Sequence, residues 1–252
     1  MLVSIDMGLL DWVSERAATL GRDLADSGHT AVYIRQLLRG NRGRAADAHS
    51  EEAPRLDGPP VLLVHGYLAN RGSLHLLERR LHARRHLVLS YHLPRLSLGD
   101  IRDSAALIAR KVESLVAQTN VPSVDIVGHS LGGLVGLYYV KRLGGRHRVR
   151  RLILMGTPAG GTWSALLALF TAPIGRAGLQ LLPASPFLRE LRETPLPPGV
   201  EVISVGGSRD YFAPLASTVL DGVRHVSLPT GHSGLLVDEA VIDALDGLLR
   251  AV

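Results

Sequence analysis

The chain has 252 residues, of which 46% are hydrophobic and 20% charged, a size and balance that suit one α/β core and exclude a disordered chain. It has 0 cysteines, so disulfides and thiolate chemistry are excluded. The formal charge of +5 comes almost wholly from arginine, and because the basic residues are interspersed with acids and accompany no binding motif, nucleic acid is not an expected partner.

At the N-terminus, Asp6 and Asp11 interrupt the apolar start, and the basic region and long apolar core of a secretion signal are missing. No stretch reaches about 18 uninterrupted apolar residues, so no membrane span is predicted. The expected location is cytoplasmic, with peripheral contact at a membrane surface as the alternative. Leu9, Leu10, Val13, Ala17, Leu20 and Leu24 recur at helical spacing; this stripe is expected to pack on the domain rather than to dock on lipid. Gly40 to Pro60 reads as a polar linker. Residues 1–58 are therefore expected to form a helical segment and linker, and residues 59–252 the main α/β unit.

Strands are predicted at Val61–Val64, Leu87–Tyr91, Val124–Val127, Arg151–Met155, Val200–Val205 and Val223–Leu228. Helix-period segments lie between them, near Leu74–Leu81, Ile101–Ala117, Leu131–Leu143 and Val237–Leu249. The alternation implies an α/β fold, a mostly parallel sheet of about six strands with helices on both faces. Little room is left for antiparallel opening strands. The stretch from Thr162 to Pro198 is too apolar for a solvated loop. It is expected to form a helical cap inserted over the site, with Leu166, Leu167 and Phe170 as substrate-binding wall; ordinary core helices are the alternative.

Chemistry concentrates after the third strand, at Gly128-His129-Ser130-Leu131-Gly132-Gly133. A strand, a sharp turn carrying serine and then a helix make the G-x-S-x-G arrangement, in which the serine is held in a strained backbone conformation at a helix N-terminus. There the unpaired N–H groups and the positive dipole end favour a developing oxyanion. Ser130 is the expected nucleophile. Its base is expected to be His232, on the loop after the last strand, and the orienting acid Asp210, on the loop after the penultimate one. Asp125, Asp221 and Asp238 compete with Asp210 for that role. His129 and His65 are expected to pack or bond locally rather than move protons, and His75, His82, His86 and His92 to lie at the surface. No histidine pair has the spacing of a helical zinc site, so no metal is expected.

The order Ser130, Asp210, His232 is that of the α/β-hydrolases. From about Pro59 to the C-terminus the sequence resembles that superfamily, and within it the bacterial lipases and esterases. Val61 to Tyr67 resembles the strand and His-Gly element of the oxyanion hole, and Met155 to Thr162 the G-T-P-x-x-G-T segment leading into a lid. The chain departs at Ala159, where many relatives carry histidine. The resemblance implies backbone N–H donors at Tyr67 and Leu131, and a serine esterase or lipase acting on apolar acyl esters without a cofactor. Its partners would be a small ester or a lipid, with transient lipid-interface contact; oligomeric state is unread. An acyltransferase or thioesterase on the same residues, and a hydrolase fold kept for binding alone, are the other readings.

Overall fold

The computed structural model describes residues 27–40, 58–93, 97–166 and 175–251. Six strands make one sheet: β1 (Val61–Val64), β2 (Val88–Tyr91), β3 (Val124–His129), β4 (Val149–Met155), β5 (Glu201–Gly207) and β6 (Arg224–Leu228), in the order β2-β1-β3-β4-β5-β6. Every pairing is parallel. Since β1 is followed by β2 on one side and β3 on the other, the topological switch point lies between β1 and β3. In an open α/β sheet, the crevice at the carboxyl ends of the strands at such a point is where sites form.

Alternation along the strands sorts side chains into two cores. Leu62, Val64, Ile126, Leu152 and Leu154 face one side, where they meet helices α3 (Ile101–Thr119) and α4 (Leu131–Arg142). Val61, Leu63, Val127, Ile153, Ile203 and Val205 face the other, against α2 (His75–Ala83) and α9 (Glu239–Arg250). Each fully buried aliphatic side chain of this kind contributes about 1.5–3 kcal/mol, so a charge at Leu63 would cost more than its neighbours could offset. Helix α3 is started by Asp100, whose side chain accepts from Arg102 N–H at 2.9 Å, and is stopped by Asn120 in the left-handed conformation.

Helix α1 (Ser27–Arg39) packs onto the main unit: Leu76 N–H donates to Gln36 Oε1 at 2.6 Å and Asn70 Nδ2 to Leu37 O at 3.0 Å. Two findings differ from expectation. The helix read as Val237–Leu249 is broken at Asp238, which adopts extended backbone and caps α9 through Ala240 N–H, leaving a separate turn α8 (Gly234–Val237). His86 is buried, not at the surface, and lies 2.6 Å from Asp246.

The insertion after β4 carries two short helices among the described residues. Helices α5 (Ala177–Gln180) and α6 (Pro186–Glu193) bury Phe187, Leu188 and Leu191 in the core shared with α3 and α4. Arg102 donates to Glu190, Tyr138 OH donates to Glu190 Oε1 at 3.2 Å, and Lys141 donates to Leu191 O at 2.7 Å. Those partners place α6 against the far half of α4, about 15 Å along the helix from Ser130 at 1.5 Å per residue. This part of the insertion packs on the core, while Thr162 N–H donates to Leu181 O at 2.9 Å and ties it to the loop after β4. Leu166 is exposed at the end of the turn that opens the insertion, while Leu167, Phe170 and the amphipathic stripe Leu9–Leu24 lie outside the described residues. Among the described residues no helix is long and apolar enough to cross a membrane.

Candidate active site

Ser130 joins β3 to α4 with φ 55° and ψ −122°, a backbone conformation that a non-glycine residue holds only when its surroundings over-determine it. The surroundings are specific. Ser130 N–H donates to Met155 O at 2.8 Å, and Gly133 N–H closes the turn on Ser130 O at 3.0 Å. At Gly132 an added Cβ would run into Val64 O and lie 2.8 Å from His65 O, so α4 begins pressed against the end of β1. Leu131, buried, is the first residue of α4, where N–H groups lack partners within the helix.

The loop after β1 passes over this turn: a Cβ on Gly66 would sit 3.0 Å from Ser130 Cβ. Tyr67, half-buried, follows directly. His65, fully buried, holds that loop. Its Nε2 accepts from Leu93 N–H at 3.0 Å, which leaves the proton on Nδ1, 3.1 Å from Gly66 O. Burial lowers the His65 pKa to about 4, so the ring is neutral and its tautomer is fixed by these two bonds.

Asp210 and His232 meet from the loops after β5 and β6. His232 Nδ1 donates to Asp210 Oδ2 at 2.6 Å, and Asp210, 2% exposed, accepts from Ala213 N–H through Oδ1 at 2.8 Å. The pair adjoins the elbow through Gly156: a Cβ there would lie 3.1 Å from Asp210 Oδ2 and 3.3 Å from His232 Nδ1, while Met155, one residue earlier, accepts from Ser130. Two of the three competing acids are otherwise engaged, and the third is exposed. Asp125 is buried against Arg150 at 2.5 Å, Asp238 caps α9, and Asp221 is exposed in the turn before β6.

His129, expected to pack or bond locally, has its Nε2 3.2 Å from His232 O, to which it can only donate, and its ring lies 4.6 Å from that of His232. Burial and the neighbouring His232 push its pKa well below the ordinary value, so it stays a neutral donor. Phe212, missed because a loop aromatic has no periodicity to mark it, lies 5.4 Å from the His232 ring and is 44% exposed. Among the described residues no three His, Asp or Glu side chains gather as a metal site.

The family model described as the alpha/beta hydrolase fold matches residues 59–174. Among solved structures, the chain is similar to Bacillus licheniformis lipase BlEst2 in its propeptide form (TM-score 0.70, 16% identity, 81% of this chain and 52% of that one). The mature form of that lipase aligns with TM-score 0.68 at 18% identity, over 79% of this chain and 94% of the other. Aspergillus fumigatus lipase B aligns with TM-score 0.68 at 20% identity, over 81% of this chain and 55% of the other. The chain thus spans about half the length of the propeptide form and of the fungal lipase. By its sheet order, its central segment and these alignments, this chain is an α/β-hydrolase-fold protein.

Proposed function

We propose that the protein is a serine carboxylic ester hydrolase that cleaves apolar acyl esters through an acyl-enzyme. The observation that carries this reading is the 2.6 Å bond between buried Asp210 and His232, set beside a serine held at φ 55° on the neighbouring turn. Ser130 Oγ attacks the ester carbonyl while His232 Nε2 takes its proton; the Nδ1–H bond to Asp210 keeps Nε2 as the accepting nitrogen and stabilises the imidazolium. The oxyanion is met by the backbone N–H groups of Tyr67 and Leu131. As the carbonyl–oxygen bond to the alcohol breaks, His232 returns the proton to that oxygen, and water activated by the same ring then releases the acid.

An apolar substrate is supported by the rim of this region. Leu68, Trp163, Leu166 and Phe212 are large apolar residues left exposed on loops that follow β1, β4 and β5. The lipase names of the structural neighbours agree with this reading at the level of a shared fold. The test is hydrolysis of p-nitrophenyl esters from acetate to palmitate by the wild type and by Ser130→Ala. Loss of about six orders of magnitude in kcat is expected in the variant with its melting curve intact. Turnover within tenfold of wild type would remove Ser130 from the reaction.

A further inference from the structure

We infer that Phe212 reads the alcohol half of the substrate, so that the protein prefers esters of bulky apolar or aromatic alcohols. This rests on the hydrolase reading above and deepens it. His232 is the group that hands a proton to the leaving alcohol, so whatever lines its open side lines the path of that alcohol. Among the described residues, the rings of His129 and Phe212 both lie against the imidazole. His129 is buried, bonded to the His232 carbonyl, and offers no surface to a ligand. Phe212, with ring centroid 5.4 Å from the imidazole, is 44% exposed and presents its apolar surface to incoming molecules.

The position of Phe212 is fixed by the same carboxylate that fixes the histidine. Asp210 uses Oδ2 for His232 and Oδ1 for Ala213 N–H, which closes residues 210–213 into a short side-chain-bonded turn with Phe212 inside it. Ser164 Oγ donates to Tyr211 O at 3.2 Å, pinning the turn from the loop after β4, and the Tyr211 ring packs edge-on against Phe212 at 5.5 Å. An exposed aromatic held this firmly at a proton donor is pre-organised, since little of its freedom remains to be lost when an apolar group stacks on it. A bulky apolar alcohol covers the ring, whereas methanol leaves it wet.

The experiment separates the two halves of the ester. One series fixes the acyl group and varies the alcohol, with methyl, n-hexyl and benzyl butyrate; the other fixes methanol and lengthens the acyl chain from acetate to octanoate. Both are followed by acid release for wild type, Phe212→Leu and Phe212→Ala, with melting curves to verify folding. Wild type should favour benzyl over methyl butyrate by about tenfold or more in kcat/KM, the scale set by one apolar contact in discrimination. Phe212→Ala should bring that ratio within about twofold, Phe212→Leu should fall between, and the acyl series should keep its profile in all three. An alcohol preference that survives in Phe212→Ala, or both series shifting together, would overturn the inference. Equal turnover of all alcohols by the wild type overturns this inference alone, whereas no turnover of any ester removes the hydrolase reading and this one with it.

Discussion

Acid should loosen this fold through His65. The buried ring titrates at about 4 against an ordinary 6.5. An unfolded chain therefore takes up a proton near pH 6.5 that the folded chain refuses until near pH 4. Between those values the unfolded state binds more protons, so stability falls as pH falls, and below about 4 the loss is complete. At about 1.4 kcal/mol per pH unit, the interval amounts to about 3 kcal/mol, a large share of the 5–15 kcal/mol roughly typical of a domain. The control is His65→Gln, whose amide oxygen can still accept from Leu93 N–H but cannot titrate. It gives up the donor to Gly66 O, costing about 1 kcal/mol at pH 7. Urea unfolding at pH 7, 6, 5 and 4, followed by circular dichroism, should show wild type losing its advantage and falling below the variant by pH 4. Groups remote from His65 are common to both proteins and cancel in the difference. Parallel stability curves for the two proteins would refute the argument.

Asp210→Asn should lower kcat by about 10⁴-fold, because an amide cannot serve both His232 Nδ1–H and Ala213 N–H as the carboxylate does, and a turned amide selects the wrong histidine tautomer; near-normal turnover, with Asp221→Asn or Asp238→Asn severe, would place the acid elsewhere. Gly132→Ala should lower both stability and kcat, since its Cβ meets the backbone of Val64 and His65 rather than any movable side chain. A loss of about 1–3 kcal/mol is expected in urea unfolding, and a stable, fully active variant would mean that α4 is free to move off β1.

Much of this architecture was legible because it is written in repeats that physics enforces. Each strand is an apolar run ended by turn residues, and each chemical residue sits just past a strand, so Ser130, Asp210 and His232 could be placed on one edge of the sheet. Other features depend on which surface a side chain finally meets. Phe187, Leu188 and Leu191 are equally apolar as cap or as core; only Arg102, Tyr138 and Lys141, distant in sequence, bring α6 down onto α4. Apolar residues on both sides of Asp238 masked a break that its own capping chemistry announces. Helix α1 buries Gln36 while leaving Ile34 and Leu38 exposed, so its hydrophobic pattern points away from the face it docks. Phe212 carries no pattern, and its relevance appears only once the loop after β5 is folded against His232.

The outermost strand on the His232 side has a consequence for how activity is lost. β1 and β3 are buried along their whole length, whereas β6, among the described residues, pairs only with β5 and has no fully buried residue. The proposed base, His232, lies four positions beyond that strand, while the proposed nucleophile, Ser130, follows the interior strand β3. Regions with little buried surface open at a fraction of the global free energy. Peeling of this margin would therefore part His232 from Ser130 while the central strands remain paired. Catalysis in such a molecule gauges the durability of a subglobal unit, so its thermal ceiling lies below the temperature at which the fold itself melts, and reinforcing the deep core would raise the second without moving the first.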